Sequence, residues 1–183
     1  MSHRATNERI AKHLLADGRI TERQYTAALE KTSDGELRIE EVLIDLGAID
    51  ESSLLEFVAT VHGTQFVSTK RLSRARIDKK ALREVPLKVA RQFGVFPLVF
   101  DEKESVLVIA TADPQDEGFV SELKLVAGAK QIRQMVARPR AILCAIARAY
   151  EGNSTPFRAL LAEESVVLSE SDALEKDRAA IAP

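Results

Sequence analysis

The sequence predicts an α+β fold: an N-terminal four-helix unit of two repeated helical hairpins, followed by a small helix-flanked sheet domain. Two observations predict it. A pattern of arginine, apolar residues and glycine occurs twice at an offset of 29 residues, with helical spacing in both copies. Further along, the β-rich runs VFPLVF, SVLVIAT and KQIRQMVA are interspersed with amphipathic helical stretches. The boundaries that follow are 5–63 for the repeats, 64–152 for the α+β part, and 153–183 for a polar, acidic tail. That tail reads as mostly disordered, with a transient helix around Phe157 to Ala162.

Each repeat reads as helix, glycine turn, helix. In the first copy Ile10, Leu14 and Leu15 form one apolar stripe, and Gly18 stops the helix because glycine tolerates left-handed dihedrals. Thr21 is the N-cap of the next helix and Gln24 completes a capping box. Tyr25, Ala28 and Leu29 carry its stripe. The second copy repeats the plan with Ile39, Val42 and Leu43, then Gly47, then Asp50 as N-cap and Leu54, Phe57, Val58 and Val61 as the stripe. Next, HGTQFVS is a turn and a short extended piece near Phe66. DKKALREVP and PLKVARQFG are two short helices parted at Pro86, which suits a first helical turn. VFPLVF and SVLVIAT flank DEKE and read as a hairpin. EGFVSELKLVAG is an amphipathic helix ended by Gly128, KQIRQMVA a strand, and RPRAILCAIARAYEG a final helix.

Composition narrows the function. A formal net charge of -2 gives no global attraction to nucleic acid or anionic lipid. The basic stretch KRLSRAR, Lys70 to Arg76, reads as a solvated linker, with contact to acidic partners as its other reading. The single cysteine, Cys144, rules out an internal disulfide and reads as core packing. No apolar signal segment and no run of about 18 apolar residues is present, so the expected location is the cytoplasm, with no direct membrane insertion. His3, His13 and His62 are too dispersed for a metal site, and Asp113 in TADPQD reads as a turn and cap residue. No catalytic residues and no metal ligands are expected.

Taken together, residues 5 to 152 resemble the N-terminal domain, of MshEN or GspE N-terminal type, of the assembly ATPases of type II secretion and type IV pili. Arg9, Ile10, Leu14, Leu15, Gly18, Ile20, Ala28 and Leu29 match the family's first motif; Arg38, Ile39, Leu43, Gly47, Ile49 and Leu54 match the second. ALREVPLKVARQFGVFPLVF and LVIATADPQD are similar to the stretch that follows in the family. In many members the paired motifs bind cyclic di-GMP, with arginines on guanine edges and phosphates, a small third residue for close approach, and leucines as an apolar bed. Carried onto this chain, the resemblance implies ligand-binding positions Arg9, Ile10, Leu14, Tyr25, Leu29, Arg38, Ile39, Leu43, Leu54 and Val58. The chain departs from the pattern at Ala11 and Glu40, which replace the small glycines, at Thr32 and Val61, which replace glutamines, and at Phe57. Glu40 brings bulk and negative charge toward a ligand with two phosphates, and Val61 offers no side-chain hydrogen bond.

The ATPases of that family carry a P-loop, and the pattern G-x-x-x-x-G-K-[ST] occurs nowhere in this sequence. The expected function is therefore a non-enzymatic regulatory or protein-docking module of a secretion or pilus-type machine, with no cofactor and no nucleic-acid partner. The alternative is a cyclic di-GMP receptor using degenerate motifs. A third reading is a packed helical scaffold with no ligand.

Overall fold

The computed structural model describes residues 3–32, 38–114 and 117–166. Cα packing divides the chain into two compact units, with breaks between Leu54 and Leu55 and between Leu161 and Ala162, so that the described residues from Ala162 onward group with the first unit. The sequence pattern changes later, at 63/64, because the helix Glu51–Val61 runs through the first break without interruption.

The first unit contains α1 (His3–Ala16), α2 (Glu22–Lys31), α3 (Ile39–Asp45) and the start of α4 (Glu51–Val61). α1, α2 and α3 pack on one another. The repeat is reproduced bond for bond at the helix ends. Gly18 N–H donates to the Leu15 carbonyl at 3.0 Å and Arg19 N–H to Leu14 at 2.9 Å; Gly47 donates to Ile44 at 2.9 Å and Ala48 to Leu43 at 3.0 Å. Both glycines sit at positive φ, 69° and 62°, the left-handed C-terminal stop that a Cβ would strain. The next helix starts also correspond. The Thr21 hydroxyl accepts Gln24 N–H at 3.2 Å, and Asp50 Oδ1 accepts Ser53 N–H at 2.9 Å. Gln24 Oε1 reaches back to the Thr21 amide at 2.8 Å, which completes the expected capping box.

The second unit, Leu55–Leu161, is built on a four-stranded sheet of order β1-β4-β3-β2, from β1 (Gln65–Phe66), β2 (Val95–Asp101), β3 (Val106–Thr111) and β4 (Gln131–Val136). β2 and β3 form the expected antiparallel hairpin. β4 runs parallel to both β3 and β1. A parallel neighbour needs a crossover, which α8 (Glu117–Ala127) supplies between β3 and β4. Pro97 cannot donate to a ladder; it lies in the edge strand β2, where the register shifts between Pro97 and Val99. The Thr64 hydroxyl donates to the Gln134 carbonyl and secures the short β1 against β4.

Helices α5 (Thr69–Arg74), α6 (Lys79–Glu84), α7 (Leu87–Phe93) and α9 (Pro139–Glu151) pack against the sheet or against one another. α5 and α7 pack on α9, and α6 and α7 on β2. The core joins Leu107 and Ile109 of the sheet to Leu72, Ala81, Ala90, Leu123, Ile142 and Ile146 of the helices. The phenyl rings of Phe93 and Phe119 stack at 5.7 Å across α7 and α8. Pro86 proves to be the N-cap of α7.

Two expectations change. KRLSRAR is not an unstructured linker: α5 occupies most of it, capped by the Ser68 hydroxyl and anchored by buried Leu72. Residues 155–166 are helical, here α10, and Phe157 and Leu160 are 3% and 2% exposed within the core. These two apolar side chains follow α9 closely in the chain and have a core to enter. Their burial outweighs the polar composition that suggested a disordered tail from 153. Residues 167–183 lie outside the described residues.

Candidate functional site

The mutual packing of α1, α2 and α3 brings together most of the positions singled out in the sequence. Arg9, Ile10 and Leu14 lie on α1, Tyr25 and Leu29 on α2, Ile39 and Leu43 on α3, and Leu54 in the first turn of α4. Val58 falls in the second unit, beyond the break. Their exposures differ sharply. Ile10, Leu14, Ile39, Leu43, Leu54 and Val58 are all buried; Tyr25 and Leu29 are half-buried; Arg9 is exposed. The buried leucine, isoleucine and valine positions thus serve as packing in this structure, and the polar and half-buried positions form what surface the constellation offers.

The two arginines are equivalent in sequence but not in backbone. Arg9 lies inside α1, which extends toward the N-terminus, whereas Arg38 precedes α3 as its N-cap with φ -81° and ψ 141°. This extended residue, followed directly by a helical turn, brings its own side chain and that of Glu40 within reach of one another. The Glu40 carboxylate Oε1 lies 3.4 Å from Nη2 of Arg38, with side-chain exposures of 9% for Glu40 and 21% for Arg38. The second oxygen, Oε2, is buried and has no hydrogen-bond partner among the described residues. At the equivalent place in the first repeat, Ala11 is fully buried and offers no charge to Arg9.

Sequence reasoning identified Glu40 as out of pattern but aimed its charge at a ligand. In the structure the carboxylate is directed at the neighbouring arginine. The signal was present as an Arg-x-Glu spacing across a helix start. Thr32 lies at the C-terminal end of α2 and its hydroxyl donates to the Leu29 carbonyl, so it is engaged by its own helix. Val61 is exposed at the end of α4, and Phe57 is buried. Among the described residues no group of His, Cys, Asp and Glu could hold a metal ion. Among them, too, no helix is long and apolar enough to cross a membrane.

A family model described as the MshEN domain matches residues 63–155. The chain belongs to the MshEN domain family. The match takes in about half of the chain and coincides with the sheet and its helices; the two repeats precede it. Among curated proteins the chain is 28% identical over 142 residues to the type IV pilus assembly ATPase PilB of Myxococcus xanthus and 25% identical over 122 residues to PilB of Thermus thermophilus. These alignments take in 78% and 67% of this chain but only 24% and 13% of the relatives' lengths. The MshEN domain fold is also that of MshE, solved with cdg, at 25% identity and TM-score 0.59, with 77% of this chain and 98% of that one covered. The N-terminal domain of XpsE, at 23% identity and TM-score 0.53, shares the fold, with 76% of this chain and 92% of that one covered.

Proposed function

We propose that this MshEN-family chain is a non-enzymatic docking or regulatory module of a pilus or secretion machine, and that its repeats act as a packed scaffold. The observation that carries this reading is the Arg38–Glu40 pair. A cyclic dinucleotide brings two phosphates, and an arginine whose Nη2 already faces a buried carboxylate at 3.4 Å offers them less net positive charge. Drawing Arg38 away to a ligand would leave a buried carboxylate whose other oxygen already lacks a partner. The relatives in which similar regions occur are named as assembly ATPases of type IV pili, and this sequence contains no P-loop pattern. The first supports a place in such a machine, and the second fits a region that does not itself carry the hydrolytic site.

A second reading, a cyclic di-GMP receptor, is favoured by the likeness to MshE solved with cdg and by the exposed Arg9. Calorimetric titration of the purified chain with cyclic di-GMP separates the two. The scaffold reading expects no saturable heat from wild type. Saturable micromolar binding that disappears in the Arg9→Ala/Arg38→Ala variant would establish the receptor instead. Affinity capture from native cells should then recover a named component of a pilus or secretion machine, and recovery of none would remove the docking reading.

A further inference from the structure

The segment 69–91, which carries α5, α6 and most of α7, has a charge that the rest of the chain does not. Nine of the 26 Lys and Arg residues fall within residues 69–91, together with two of the 28 Asp and Glu residues. The whole chain has a formal charge of -2, so this is a local feature and not the by-product of a basic protein. One of the two acids, Asp78, is committed to backbone amides: Oδ1 accepts from Lys80 and Ala81 at 2.9 and 3.3 Å, and Oδ2 from Phe100 at 3.0 Å. Two of the cations are paired, Lys80 with Glu102 at 2.6 Å and Arg91 with Glu151. Arg71, Arg74, Arg76, Lys79 and Lys88 are exposed and have no ion-pair partner among the described residues.

These cations project from anchored backbone. Leu72, Ala81 and Ala90 hold the inward sides of the three helices in the core. Arg148 of α9 donates to the carbonyls of Leu72, Ser73 and Ala75 at 3.3, 2.6 and 3.1 Å and fixes the C-terminal end of α5. Like charges gathered within 23 consecutive residues repel one another, so the bare fold gains nothing from the arrangement. An anionic partner would reverse that balance.

We propose that the exposed cations of the segment 69–91, which carries α5, α6 and most of α7, dock an acidic segment of another protein. The surface chemistry selects this occupant over other polyanions. Among the described residues, none of the exposed large apolar side chains lies on these three helices, so nothing there would enter the interfacial layer of a membrane. The helices offer no free aromatic ring to stack a base, since Phe93, their one aromatic residue, is stacked on Phe119. The net negative charge of the whole chain opposes a long polyanion, while a short carboxylate-rich segment meets only the local field within about one Debye length, ~8 Å at physiological salt. The inference rests on the docking reading above and names its surface and partner chemistry. Cyclic di-GMP binding by the repeats would overturn that reading without involving these cations, so the two failures are distinguishable.

The test is fluorescence anisotropy with a labelled poly-glutamate peptide, in low and in high salt. Wild type should bind saturably and lose affinity as salt rises. Arg71→Glu/Arg74→Glu/Lys79→Glu should weaken binding at least about tenfold, because the contacts are charge pairs. Lys103→Glu/Lys130→Glu/Arg133→Glu, with the same net charge change on exposed residues elsewhere in the unit, should bind like wild type. If the reversal variant loses its circular dichroism signal, Arg71→Gln/Arg74→Gln/Lys79→Gln replaces it and should also bind more weakly. Absence of saturable binding, equal losses in the two triple variants, or tighter binding to phosphatidylglycerol vesicles, to duplex RNA or to a second copy of this chain would each overturn the proposal.

Discussion

Tyr150 shows how one side chain links two elements. It lies on α9, half-buried, and its hydroxyl donates to the carbonyl of Val85 at the end of α6. Burial raises its pKa from 10.0 to about 12. The fold therefore favours the neutral phenol, and the contribution is present below the unfolded value of 10.0 and lost as pH rises through about 12. Tyr150→Phe should cost about 1 kcal/mol at neutral pH, the usual net worth of one hydrogen bond. The gap between wild type and variant should close as pH rises from 10.0 toward about 12, measured as urea midpoints at several pH values. A gap that stayed constant over this range would mean that the phenol titrates alike in the folded and the unfolded chain and is not buried in solution. At the same scale, the Arg38–Glu40 pair shows the limit of motif reading. A position marked by its deviation from glycine acquires its meaning from the neighbour two residues away; the Arg-x-Glu spacing names that neighbour, and the dihedrals of Arg38 bring the two side chains together.

Whole elements depend on contacts of comparable economy. Asp78 caps α6 and also binds the Phe100 amide, so one carboxylate fixes a six-residue helix to the edge strand β2. Burial pushes its pKa up, but the hydrogen bonds from Phe100, Lys80 and Ala81 and the nearby Arg83 outweigh it, and the net shift is downward from 3.8. Its stabilisation is thus full above the unfolded value and disappears as pH falls through the lower folded one. Asp78→Ala should cost about 1–2 kcal/mol near neutrality, as for a lost N-cap, with the difference from wild type shrinking in acid; a difference that grew on acidification would contradict the sign. Arg148→Ala should release α5, seen as faster amide exchange in Thr69–Ala75 with β3 unaffected, and Arg148→Lys should not restore protection because an ammonium lacks the guanidinium's fork. Unchanged exchange in α5 would show that Leu72 alone holds it. Most elements were legible from the sequence, since glycine stops, the Thr21 capping box and the β-rich runs are local signals. α5 was not, because six residues with one buried leucine carry too little periodicity, and its decisive partner, Arg148, is 73 to 76 residues away. α10 was legible only as a transient helix around Phe157 to Ala162, because Phe157 and Leu160 acquire their buried role from a core assembled elsewhere.

At the scale of the molecule, the duplicated hairpin and the sheet unit are held by separate sets of buried residues. Leu14 and Leu43, at equivalent places in the two repeats, are both fully buried in the first unit. Leu123 and Leu107 are equally buried in the second. The repeat predicts that Leu14→Ala and Leu43→Ala have similar effects, each costing roughly 2–5 kcal/mol, the range for a leucine removed from a packed core. Leu123→Ala should cost as much. Amide exchange then distinguishes local from global opening, because each amide reports the cheapest opening that exposes it. If each unit opens by itself, Leu14→Ala weakens protection in α1 to α3 and leaves β3 and β4 as in wild type, while Leu123→Ala does the reverse. Equal loss of protection in both units, in either variant, would mean that the chain opens as one cooperative body.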